Sequence, residues 1–194
     1  GIPDVLGKDR EDYIGAATLV VGAGHSAANV LLDLARLAET EEPGKVTWAV
    51  RGTDLTRVFG GGADDALAAR GDLGSRLRAA VDGGHIHVVT GFSVAELIRT
   101  RDRMSVVADH GVAIGPFDRI VTATGQRPDL SLTRELRLDL DPWLESARAL
   151  GPLIDPNHHS CGSVPPHGHR ELAHTEPGFY TVGIKSYGRA PTFL

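Results

Sequence analysis

The chain has 194 residues, enough for one large or two small domains at roughly 150 residues each. Hydrophobic residues make up 41%, charged residues 23% and aromatics 5%, the balance of a globular protein that closes a core without disulfides or metal. A formal net charge of −5 excludes the basic surplus of a nucleic-acid binder, and the lone Cys161 excludes an internal disulfide or a CxxC redox pair.

Residues 1–17 read as a Pro- and Gly-punctuated lead-in, charged from Lys8 to Asp12. Thr18–Val21 is β-branched and apolar throughout, the pattern of a short strand buried on both faces. From Ser26 to about Ala38 the pattern turns helical, with Ala27, Val30, Leu31, Leu34 and Leu37 at three- and four-residue spacing. Pro43-Gly44 closes that helix, and Lys45–Val50 reads as a second strand with Val46, Trp48 and Val50 on one side. The three elements form a β-α-β unit, the size of one parallel crossover. Gly60 to Asp72 reads as a loop rich in Gly, Ala and Asp, and Ser75 opens a second helix that ends at Gly83-Gly84. Ile86–Val89 reads as a third strand. Val94–Thr100 and Met104–Asp109 read as a hairpin whose tip, Arg101-Asp102-Arg103, is solvated. Asp118–Ala123 is a further extended run ending at Thr124-Gly125, and the composition shifts after Pro128.

The strongest motif is Gly22-Ala23-Gly24-His25-Ser26-Ala27, a GxGxxA that follows a strand and opens a helix. Gly22 would make the turn out of the strand, and Gly24, lacking Cβ, would let a pyrophosphate reach the backbone. Ala27 is small enough for close helix–strand packing, and the helix N-terminus would face the phosphates. Ser26 is placed to cap the helix or donate to a phosphate. An NAD site usually has an acid at the end of the second strand, to accept from the ribose 2′-hydroxyl. Here Arg51-Gly52 follows that strand and no acid comes before Asp54. A guanidinium there suits a 2′-phosphate, and Arg57 is a second candidate, so the expected cofactor is NADP(H) rather than NAD.

Together with Arg51, Ala123-Thr124-Gly125-Gln126-Arg127-Pro128-Asp129 and Gly178-Phe179-Tyr180-Thr181-Val182-Gly183, the fingerprint resembles the two-dinucleotide-domain flavoproteins. That group includes flavin-containing monooxygenases and thioredoxin-reductase-like enzymes. The resemblance implies an NADPH domain over residues 18–127 after a lead-in at 1–17, then part of an FAD-type domain over 128–194. It implies that Thr124, Gly125 and Gln126 lie at the exit of the NADPH domain. It also implies that Gly178–Gly183 is the last FAD-domain strand, with Gly183 near the flavin. Gly24-His25-Ser26-Ala27 is closer to the monooxygenase branch, and no CxxC stands before the fingerprint, which argues against a disulfide reductase. Only one glycine fingerprint is present, so the chain reads as the NADPH-binding piece of a longer FAD enzyme, inactive alone. In the parent, hydride passes from nicotinamide to flavin and the cofactors carry the chemistry, so no side chain is assigned a catalytic role.

The fold class expected is α/β: a Rossmann-like parallel sheet with helices and a three-stranded β-meander, followed by the partial second domain. The apolar face of that domain, with Phe179, Tyr180 and Val182, must pack on the NADPH domain, remain disordered or pair with another copy as a homodimer. His158, His159, Cys161, His167, His169 and His174 crowd a Pro-rich stretch. Their spacing matches no standard zinc pattern, and a loop lining the cofactor cleft is the expectation rather than a metal site. Cys161, without a partner cysteine, is not expected to be a redox centre. Two alternatives stay open: a non-catalytic NADP(H)-sensing module, and a zinc protein using the His/Cys loop. With no signal peptide and no membrane-length apolar stretch, the expectation is a cytoplasmic protein acting on a small molecule, without nucleic-acid or membrane partners.

Overall fold

A computed structural model describes residues 2–60, 68–155 and 164–190. The chain divides into two compact units, Gly1–Thr124 and Gly125–Leu194.

In the first unit, β1 (Thr18–Val21) leads into α1 (His25–Thr40), and β2 (Val46–Ala49) follows. The short α2 (Thr56–Phe59) and longer α3 (Ala68–Asp82) precede β3 (His87–Val89). Three strands, β4 (Val94–Thr100), β5 (Arg103–Ala108) and β6 (Ala113–Phe117), form an antiparallel meander, and β7 (Arg119–Thr122) returns to the main sheet. That sheet is parallel, in the order β3-β2-β1-β7. β1 therefore sits between β2, reached through α1, and β7, reached after the meander. The crevice at the carboxyl ends of β1 and β7 is the topological switch point where open α/β sheets bind ligands.

Both faces of this sheet are covered, which is why β1 reads as a continuous buried strand and every residue of β2 is buried. On one face Val20, Val46 and Trp48 pack beneath Ala27, Val30, Leu31, Leu34 and Leu37 of α1 and Leu77 of α3. On the other, Leu19 and Ala49 pack against Phe92 and the meander residues Val106, Ala108 and Phe117. The layers are thus helices, parallel sheet and meander.

The second unit, among its described residues, has little regular structure. It holds two four-residue helices, α4 (Gly151–Ile154) and α5 (His169–Leu172), and 3-10 turns at Ser131–Thr133 and Gly183–Tyr187. Its small core joins Ala147, Leu150, Ile154 and Ala190.

The structure corrects several expectations. α3 begins at Ala68, inside the stretch read as loop; Gly71, Asp72 and Gly74 look like breakers, but both glycines are buried. A Cβ on Gly74 would stand 1.9 Å from the Phe59 carbonyl oxygen, so this glycine serves the packing of α3 on the backbone that ends α2. β6 went unread as a strand because it contains Gly115-Pro116, joined by a cis peptide bond. It lies at the meander edge, where proline is tolerated. Gly178–Gly183 is not a strand: Tyr180 makes one isolated bridge to Ala173, and the chain then enters the 3-10 turn at Gly183. Left-handed backbone at Gly178 (φ 73°) and Gly183 (φ 69°) brackets the segment, and Val182 between them is 67% exposed. The hairpin tip Arg101-Asp102-Arg103 is exposed, as expected, and Arg103 pairs with the Asp118 carboxylate at 2.8 Å.

Candidate functional site

The fingerprint leaves the carboxyl end of β1. Gly22 has φ 135° and its N–H donates to the Ala49 carbonyl at 3.2 Å, holding the turn to β2. On its other side β7 closes in: the Ala123 N–H donates to Val21 O at 2.8 Å. A Cβ on Gly22 would lie 2.2 Å from Ala123 O and 3.3 Å from Thr124 N. Gly22 is therefore required by the strand packing as well as by the turn, and Thr124 is brought beside the fingerprint.

Gly24 differs. It is the N-cap of α1, with an ordinary extended backbone (φ −95°, ψ 178°), and a Cβ there would meet nothing within 4 Å. No part of the described fold needs glycine at this position. No side chain caps α1, and its first turn carries no acid. Ser26 thus lies inside the helix rather than capping it; it is exposed, whereas His25 is half-buried and Ala27 fully buried against the core. Among the described residues no backbone group pairs with the exposed Ser26 amide, and the positive end of the helix dipole lies behind it.

One strand over, β2 ends and Arg51 follows. The backbone around it is pinned: Val50 N donates to Val89 O at 3.0 Å, Phe92 N to Val50 O at 2.9 Å, and Gly91 N to Gly52 O at 3.0 Å. The Arg51 side chain is exposed and has no hydrogen bond or ion pair with the described residues. Asp54, the first acid after β2, accepts from Thr56 N at 2.9 Å and Thr56 Oγ1 at 2.6 Å, an Asx turn that opens α2. Arg57 lies on α2, and its side chain is outside the described residues. β1 and β2 are adjacent and in register, Val21 opposite Ala49, so the fingerprint and Arg51 leave the same edge of the sheet.

The remaining expected residues belong to the second unit. Gly125 (φ 88°) and Gln126, both exposed, begin the second unit, as the neighbouring Arg127 pairs with Glu145 at 2.5 Å. Gly183 lies in the same unit, where its carbonyl accepts from Ser186 Oγ at 2.7 Å. His158, His159 and Cys161 lie outside the described residues. His174 is spent on structure: Asp139 N donates to its Nδ1 at 3.1 Å, and Nε2 meets Thr181 Oγ1 at 2.6 Å. Among the described residues no three His, Cys, Asp or Glu side chains gather as a metal site. No helix among them is long and apolar enough to cross a membrane.

Sequence reasoning missed Trp48. Its β-strand periodicity marks it as core, and it is fully buried. Its indole N–H nevertheless donates to Gly22 O at 2.7 Å, so it also supports the fingerprint turn. A buried indole N–H needs an acceptor, but nothing in the local sequence names Gly22 as that acceptor.

No protein-family model matches the chain, and no curated protein does. Solved structures do. Bacillithiol disulfide reductase from Bacillus cereus matches with TM-score 0.60 and 17% identity, over 91% of this chain and 44% of that one. The Staphylococcus aureus enzyme of that name gives 0.60 and 15%, over 93% and 46%. DfoA, the FAD-bound cadaverine monooxygenase of Erwinia amylovora, gives 0.48 and 16%, over 73% and 44%. The chain spans less than half the length of each. In fold, then, it is similar to the two-dinucleotide-domain flavoproteins.

Proposed function

We propose that this chain is the NADPH-binding portion, residues 18–127, with part of an FAD-type domain, residues 128–194, of a flavin-dependent oxidoreductase. The observation that carries the reading is Gly24. Its backbone does not need glycine and the described residues leave the Cβ direction open, which suits the close approach of a ligand. At an uncapped helix N-terminus the chemistry that fits is a phosphate anion. Ser26 would offer its amide to the pyrophosphate, and Thr124 would flank it. Arg51, on its pinned stub, would take the 2′-phosphate, and Asp54, the first acid after β2, is held in an Asx turn by Thr56. NADPH, when bound, supplies a hydride for the flavin of the parent enzyme. The chain's own part is to bind and orient. Gly24-His25-Ser26-Ala27 supports a monooxygenase-like parent over a thiol-dependent one.

Arg51→Asp tests the cofactor choice. Losing a charge-assisted pair and placing a carboxylate against the 2′-phosphate should weaken NADPH by roughly 1.5–3 kcal/mol and spare or improve NADH. Calorimetric titration of both nucleotides against both proteins measures this. Equal affinity for NADH and NADPH in the unmutated chain would refute the NADP assignment.

A further inference from the structure

Trp48 belongs to the core by burial, yet its one polar atom is aimed at the fingerprint. In the sheet it lies opposite Val20, two residues before Gly22. From there the indole reaches along β1 and donates Nε1–H to the Gly22 carbonyl at 2.7 Å. The ring cannot easily move. It is fully buried in the helix-side core and meets Phe59 edge-on, with centroids 6.3 Å apart at 71°.

This contact fixes more than Gly22. The Gly22–Ala23 peptide is trans, since among the described residues Gly115-Pro116 alone is cis. In a planar trans peptide the N–H points opposite to the C=O. Holding Gly22 O on the indole therefore turns the Ala23 N–H away from Trp48. Ala23 is exposed, and its N–H finds no partner among the described residues. It is the donor immediately before Gly24, whose Cβ direction is open.

We propose that Trp48 is a positioning residue for the pyrophosphate seat, acting through the Gly22–Ala23 peptide to hold the Ala23 N–H where a phosphate oxygen would accept it. The inference rests on the dinucleotide reading above and adds to it. The chain of donors runs from Trp48 Nε1–H to Gly22 O, and from Ala23 N–H to the anion. Linked hydrogen bonds of this kind polarise one another, so an anion on Ala23 strengthens the indole bond.

The test uses the 194-residue chain and its Trp48→Phe variant, which keeps an aromatic ring and deletes the N–H. Each is titrated calorimetrically with NADPH, NADH and adenosine 2′-monophosphate, the last lacking a pyrophosphate. Trp48→Phe should weaken NADPH and NADH alike by about five- to tenfold, on the order of one hydrogen bond. It should leave adenosine 2′-monophosphate within about twofold. Dinucleotide affinity unchanged by the variant overturns the role of Trp48 while leaving the nucleotide reading intact. A parallel loss for all three ligands marks general loosening and also overturns it. An unmutated chain that binds neither dinucleotide removes the nucleotide reading, and the Trp48 role falls with it. A second measurement needs no variant: in a ¹⁵N spectrum of the unmutated chain, the Trp48 indole resonance should move on saturation with NADPH and stay with adenosine 2′-monophosphate. The exposed Trp143 indole is the internal control. A Trp48 resonance unmoved by NADPH overturns the proposal even if Trp48→Phe fails to fold.

Discussion

Gly22 and Gly24 stand two residues apart and are glycines for different reasons. Gly22 sits at φ 135° with a carbonyl 2.2 Å from where its Cβ would be. Gly22→Ala should cost on the order of 2–3 kcal/mol of stability, through backbone strain and the β1–β7 clash. Gly24→Ala meets neither obstacle and should cost under about 1 kcal/mol, the price of a poorer N-cap. Its effect should fall on binding instead, where a methyl would occupy the phosphate approach and lower NADPH affinity tenfold or more. Thermal unfolding and calorimetry on the two variants separate the roles; a Gly24→Ala protein that binds normally would contradict the second. Asp33 offers a residue-scale effect of pH. Burial raises its carboxyl above the ordinary range, Asp4 adds to this, and Arg36 and Arg76 only partly oppose it. The folded chain thus holds this proton to higher pH than the unfolded chain does, so the Asp33 contribution declines as pH rises above roughly 4. Asp33→Asn should match the parent in stability at pH 3 and exceed it at pH 7, as denaturant titrations at both values will report.

Among the elements, α3 carries the least expected packing. An exposed helical glycine replaced by alanine gains about 1 kcal/mol of propensity. Gly74→Ala should instead destabilise the chain, because the new methyl would stand 1.9 Å from the Phe59 carbonyl and push α3 off the end of α2. A melting temperature raised by Gly74→Ala would contradict that account. The same glycine explains what sequence could not convey. The β1-α1-β2 unit was legible because Val30, Leu31, Leu34 and Leu37 keep helical spacing and β1 is apolar on both faces. Where a residue's type answers to a distant backbone, the local pattern misleads. Gly71 and Gly74 look like loop and pack a helix, and Gly115-Pro116 looks like a turn and sits in a strand. The four-residue α2 spans little more than one turn, so no helical period can repeat within it. Phe179 to Val182 is aromatic and β-branched like a strand, but pairing takes a neighbour, and there Tyr180 makes a single bridge to Ala173. Arg51 could be placed from sequence because a strand end is a fixed address. The tether between Trp48 and Gly22 could not, since a hydrogen bond across two strands leaves no spacing to read.

At the scale of the whole molecule, one glycine fingerprint in 194 residues sets the expectation for cofactors. The purified chain should bind NADPH, be colourless, and consume no NADPH with oxygen as acceptor. A helix N-terminus for a second pyrophosphate is not among the described elements of the second unit, whose helices have four residues each. A yellow preparation with stoichiometric FAD would contradict this and place a flavin site in the chain. Exposed apolar side chains in that unit, Leu132 at 94%, Trp143 at 81% and Val182 at 67%, are what a partial domain would leave uncovered. The two tryptophans have a further consequence. Trp48 is sealed from water and Trp143 lies in it, one in each compact unit. Iodide should therefore quench the emission of Trp143 and spare the shorter-wavelength emission of Trp48. Without any label, the chain carries two optical gauges that report separately on its two halves.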